Sequence, residues 1–264
     1  MSDISNQRKL QHLYLRAGFG ASISEINKSL EKPLSVTVEE LFYNSKSYTD
    51  ISLDKDLKKF KQGKGPKNVK AARENTENLN IEWLDKMTND NDQLREKMTL
   101  FWHGHFACRT TYPLFTQNQN NTLRRNALGN FGTLLMEVSK DPAMLQFLNN
   151  QQNKKSSPNE NFAREVMELF TLGRGNYSEA DIKEAARAVT GWSFDQSGEY
   201  NFKENVHDFD EKTFLGRTGN FSGEDIINIL LENKRTAEFI TNKIYVFFVN
   251  DNINTEITKE LSKK

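Results

Sequence analysis

The stretch PNENFAREVMELFTLGRGNYSEADIKEAARAVTGW, residues 158–192, decides the fold class. Phe162, Val166, Leu169 and Phe170 recur at the three- and four-residue spacing of a helix with one apolar face, and Gly173 stands where that helix would stop. Ser178 and Asp181 make an N-terminal capping box, after which Ile182, Ala185, Ala186 and Val189 repeat the pattern as far as Gly191-Trp192. Two amphipathic helices joined by a short glycine-bearing turn are the expectation.

The same spacing continues outward in both directions, predicting helices over 92–110, 116–139, 159–172, 178–190 and 235–250. In the first of these Leu94, Met98, Phe101, Trp102 and His105 fall within about 100° of one another at 3.6 residues per turn, which places His105 inside. Leu123, Ala127, Phe131, Leu134 and Val138 read as one long helix. Asp141-Pro142 is an N-cap followed by a proline at the first helical position, and should start the helix carrying Met144, Leu145 and Leu148. Toward the N-terminus, Leu10, Leu13, Tyr14 and Ala17 mark a helix that Gly18 would end as a left-handed stop, and Ser22 with Glu25 caps the next. Leu79, Trp83, Leu84 and Met87 give one stripe to a helix beginning near Pro66, while Ile240, Ile244, Phe247 and Phe248 mark the last buried one. Residues 193–221 depart from this pattern: the SF and YNF segments around Gln196-Ser197-Gly198 suggest a hairpin or extended excursion. The fold class is therefore all-α with a minor β excursion. The expected organisation is one helical domain over 1–250, a polar loop at about 44–66, and a polar tail over 251–264.

Eighteen Phe, seven Tyr and three Trp in 264 residues exclude a chain disordered throughout, since so much apolar surface collapses in water. Thirty-six basic residues balance thirty-six acidic ones, so no net field draws the molecule to nucleic acid or an anionic membrane, and nucleic acid is not an expected partner. The basic run Lys55, Lys58, Lys59, Lys61, Lys64, Lys67, Lys70 and Arg73 is read as a solvated face. Cys108, the single cysteine, excludes an internal disulfide and a thiolate zinc cage. With no signal-peptide pattern and no long apolar run, the sequence as written reads as cytoplasmic, without a membrane span.

The motifs LRAGFG (15–20), LREKMTLFWHGHF (94–106), RRNALGNFGTLL (124–135), KDPAMLQFLNN (140–150), the opening stretch (158–192) and HDFDEKTFLG (207–216) follow one another in order. Together they resemble the bacterial domain-of-unknown-function family numbered 1800 over about residues 10–249. The resemblance implies a bacterial source and a largely helical fold, and leaves the chemistry open. Family members are commonly near twice this length, so the chain resembles an N-terminal portion. Many carry export signals and are encoded beside a second family with a phosphatase- or sulfatase-like look, which the resemblance offers as a protein partner.

Histidines and carboxylates supply the candidate chemistry. His103 and His105 point about 200° apart on an uninterrupted helix and could share an ion only if Gly104 broke it. Glu165 lies at the border of the Phe162/Val166/Phe170 stripe, where a carboxylate is costly unless paired or bound to a cation, and Glu168 follows nearly one turn later. Glu160–Arg164 and Arg164–Glu168 are expected as i,i+4 pairs. His207-Asp208 sits in the irregular excursion, where loops on a helical scaffold concentrate function. Convergence of these groups would give a divalent-metal site, with His105, Glu165, Glu168, His207 and Asp208 as ligands and Glu165 as the catalytic residue of a metal-assisted hydrolase. The alternative from a different class is a noncatalytic helical scaffold or assembly partner. GRGNYSEAD, which could be an anion cradle, is read instead as one helix's C-cap joined to the next N-cap.

Overall fold

The computed structural model describes residues 5–53, 66–110, 112–195 and 197–263; the stretch 54–65, with most of the expected polar loop and Lys55, Lys58, Lys59, Lys61 and Lys64, lies outside them. Helices dominate. α1 (Asn6–Ala17), α2 (Ile23–Leu30) and α3 (Leu34–Asn44) lead to α4 (Pro66–Asn89) and α5 (Gln93–His105). Then come α6 (Pro113–Asn126), α7 (Phe131–Ser139), α8 (Pro142–Phe147) and α9 (Asn161–Glu165), the last running directly into a π-helix over Val166–Thr171. α10 (Glu179–Ala188) precedes the β excursion, and α11 (Gly223–Glu232), α12 (Lys234–Phe248) and α13 (Thr255–Leu261) follow it. No helix among the described residues is long and apolar enough to cross a membrane.

The expected caps are present. Ser22–Glu25 and Ser178–Asp181 each form a reciprocal capping box, and the Asp141 carboxylate accepts from the Ala143 and Met144 amides at the start of α8; the structure adds a third box, Ser222–Asp225, at the start of α11. Three expectations need correcting. Residues 116–139 are two helices, because Gly129 interrupts the stripe and the Asn130 side chain caps α7 by accepting from the Thr133 amide. Gly18 is extended rather than left-handed; the positive φ falls at Gly20. Leu84 and Leu169 are exposed. For Leu169 the cause is the π-helix, whose i→i+5 turn rotates it away from the Phe162/Val166/Phe170 stripe.

Phe106, Leu123, Leu134, Met144, Met167, Ile182, Trp192 and Leu230 belong to one buried cluster drawn from α5 to α12, each side chain contributing about 1.5–3 kcal/mol of apolar burial. A smaller cluster of Ile51, Leu79, Trp83 and Met87 lies under α4. Between α5 and α6 the interior is ionic: Arg124 and Glu96 are both fully buried, bonded through Nε–Oε1 at 2.5 Å and Nη2–Oε2 at 3.1 Å. The Trp83 indole N–H donates to the same carboxylate at 2.8 Å, and Asn121 accepts from the Arg124 Nη1 at 2.7 Å.

The β excursion is two hairpins. β1 (Trp192–Phe194) pairs antiparallel with β2 (Tyr200–Phe202), and β3 (Lys212–Phe214) with β4 (Arg217–Gly219). The register Trp192↔Phe202 and Phe194↔Tyr200 puts four aromatic rings on one face of the first hairpin, since directly opposed residues share a face. Its entry is fixed by Gly191, at φ +83°, where a Cβ would stand 2.6 Å from the Lys203 carbonyl oxygen.

Candidate functional site

The π-helix gives Glu168 its surroundings. Glu168 accepts from Arg174 Nε and from the Tyr177 hydroxyl (2.7 Å), and these bonds hold its carboxyl below the usual range. Arg164 therefore pairs with Glu160 and with both oxygens of Glu179, rather than with Glu168. Glu165 is half-buried and accepts no hydrogen bond among the described residues; burial first, and the Glu168 charge second, raise its pKa. GRGNYSEAD forms the C-cap and N-cap junction: Gly173 and Gly175 have φ near +80°, and the Asn176 amide donates to the Leu172, Gly173 and Arg174 carbonyls.

α5 runs through Gly104 unbroken, so His103 is exposed, edge-on to Trp83 at 5.1 Å, while His105 is buried. Lys243 Nζ donates to His105 Nδ1 at 3.2 Å, which leaves Nε2–H to donate to the Phe170 carbonyl at 3.2 Å. Burial, with the Lys243 charge beside it, lowers the His105 pKa to about 3, so the ring is neutral.

His207 and Asp208 are strapped to the end of α10. His207 Nδ1 donates to the Thr190 carbonyl at 2.7 Å, and the Asp208 amide donates to the Thr190 hydroxyl at 2.9 Å. Arg187 grips both Asp208 oxygens, at 2.8 and 3.2 Å, and holds that carboxyl below its ordinary range against the opposing effect of burial. The fully buried Lys212 ammonium donates to the Asp208 and Asp210 carbonyls.

His207 Nε2 has no hydrogen-bond partner among the described residues, yet it is not sealed off, because the ring lines a cavity of about 410 Å³. Trp192, Tyr200, Phe202 and Phe209 wall that cavity, and Asn220, Ser222 and Glu224 supply its polar edge. The imidazole sits edge-on to Phe202 at 5.0 Å and to Phe209 at 4.6 Å, two rings that are themselves exposed. Lys140 pairs with Glu224 at 2.6 Å and lies 4.9 Å from the Tyr200 ring centroid and 5.5 Å from that of Trp192. Gly223 makes room for this wall: a Cβ there would come within 2.2 Å of the Trp192 ring.

The five expected ligands thus divide among three places. His105 closes against the end of the π-helix, Glu165 and Glu168 face Arg164, Arg174 and Tyr177, and His207-Asp208 packs on Thr190 and Arg187. The expected single concave site is corrected accordingly: His105 and His207 line different cavities, and Glu165 lines neither. Among the described residues no three His, Cys, Asp or Glu side chains are grouped to hold one metal ion. Reading the sequence missed Thr190, Glu224 and the aromatic wall; the alternation of Trp192, Phe194, Tyr200 and Phe202 about Gly198 was the available signal. Burial pushes the Cys108 thiol up to about 12, and the thiol donates to the Gln119 side-chain carbonyl.

Fold and site define a predominantly α-helical protein in which the first of two small hairpins walls an aromatic, histidine-bearing cavity. The chain belongs to the family described as Protein of unknown function (DUF1800), which it matches over residues 12–264. Comparison with curated proteins and with solved structures returned no match.

Proposed function

We propose that the chain is an acid–base enzyme of hydrolytic type whose working group is His207 Nε2. One observation carries this reading: Nδ1 is committed to the Thr190 carbonyl, so the ring is held in one tautomer with Nε2 turned over to a ligand-sized cavity. That arrangement suits a base that takes a proton from water or hydroxyl, oriented by a group behind it. Flat aromatic walls with Asn220, Ser222 and Glu224 at the edge favour a small ring-shaped ligand with apolar faces and hydroxyl edges, such as a saccharide.

A panel of chromogenic glycosides, esters and phosphate esters tests it. Turnover of one class should fall by about 10²–10⁴-fold in His207→Asn, the range expected for loss of a general acid–base group. Turnover unchanged in that variant overturns the assignment.

The assembly reading has its own support in the exposed apolar side chains Ile23, Leu34, Phe42 and Tyr43 of α2 and α3. Sedimentation equilibrium on the chain alone, and then on a Phe42→Ser/Tyr43→Ser variant, separates self-association through this face from a monomer.

A further inference from the structure

A second cavity, of about 440 Å³, is lined by residues of α5 and α12, His105 among them. Its walls are mostly apolar, Leu100, Phe101, Phe239, Val246, Phe247 and Ile253, with the uncharged Asn242 beside them. Lys243 stands among them, half-buried, with Nζ donating to His105 Nδ1 (3.2 Å) and the Leu169 carbonyl (3.3 Å) and lying 4.6 Å from the Phe239 ring centroid. All of these partners are neutral. Among the described residues no carboxylate lies within ion-pair distance of Lys243, although a cation withdrawn from water is costly without a counter-charge.

Gly104 supplies an independent observation. It sits within α5 at an ordinary helical φ, and a Cβ built on it meets nothing within 4 Å among the described residues. Neither backbone conformation nor close packing requires glycine there, and glycine in a helix interior costs about 0.5–1 kcal/mol relative to alanine. Since Gly104 lines the cavity, its effect is to keep the space beside Lys243 open.

We infer that this cavity binds an amphipathic monocarboxylate, its alkyl or aryl body among the apolar walls and its carboxylate on Lys243 Nζ. Apolar burial supplies affinity, and the charge-assisted hydrogen bond selects an acid over the corresponding alcohol. The site is separate from the His207 cavity and does not depend on hydrolysis there.

Decanoate and decanol are the probes, titrated by calorimetry and by protein-observed NMR below their micellar concentrations. One decanoate should bind per chain, with shifts centred on α5 and α12, and decanol should bind about tenfold or more weakly. Lys243→Met should abolish the preference for the acid. Gly104→Leu fills the space at a position where the fold has room, and should block binding while unfolding cooperatively; Gly104→Ala provides the folded control. Equal binding of acid and alcohol, binding indifferent to Gly104→Leu, or no binding at all overturns the inference.

Discussion

The His207 Nδ1 lies 2.7 Å from the Thr190 carbonyl oxygen, across a chain separation that spans the whole first hairpin. The same threonine hydroxyl donates to the Arg187 carbonyl at 2.6 Å and accepts from the Asp208 amide. One residue at the end of α10 therefore fixes both the ring and the backbone of the His207-Asp208 loop. Thr190→Val keeps the carbonyl and the shape but leaves the buried Asp208 N–H without an acceptor. It should cost about 1–3 kcal/mol in urea denaturation, the penalty of an unsatisfied buried donor.

Glu96 and Arg124 are fully buried in each other's company, and each is the other's only countercharge by ion-pair distance among the described residues. Removing one leaves an uncompensated interior charge. Glu96→Leu should destabilise by about 3–5 kcal/mol, and the double variant Glu96→Leu/Arg124→Met should recover much of that loss. Chemical denaturation of the two variants checks both statements.

His105 makes stability pH-dependent. Its folded pKa is depressed to about 3, so the unfolded chain binds the extra proton first, and the contribution present above the ordinary histidine pKa is lost as pH falls toward the folded value. Between about pH 7.5 and pH 5 the native chain should lose about 2 kcal/mol more than His105→Asn does. Parallel urea titrations of the two proteins measure the difference, in which other titrating groups cancel.

Gly223→Ala forces a Cβ into the Trp192 ring at the back of the histidine cavity. Overpacking of this kind should cost about 1–3 kcal/mol. Trp192 fluorescence and near-ultraviolet circular dichroism should change with it, whereas Gly104→Ala should leave both unaltered.

Much of this was legible from residue spacing. The helices that carry the core follow stripes such as Leu94, Phe101 and Trp102, because a one-sided apolar face at helical period has few other ways to be buried. Capping boxes at Ser22 and Ser178 and the glycine-centred hairpin at Gly198 were local signals with local causes. The π-helix had no sequence signature, and it alone turned Leu169 outward. Glu96 and Arg124 adjoin apolar stripes on helices that meet only after packing, so their pairing was invisible to periodicity. The same reasoning explains why spacing brings His105 and His207 together while the structure does not: spacing shows an inward face on a helix and a histidine on a loop, but which borders meet is a tertiary property.

The most direct measurement is the tautomer of His207, read from long-range proton–nitrogen correlations of its imidazole. A proton on Nδ1 and a bare, ligand-responsive Nε2, with His105 showing the opposite tautomer, is the expected result. A His207 protonated on Nε2, or one whose nitrogens ignore every ligand that the chain binds or turns over, would contradict the assignment of this cavity as the working site.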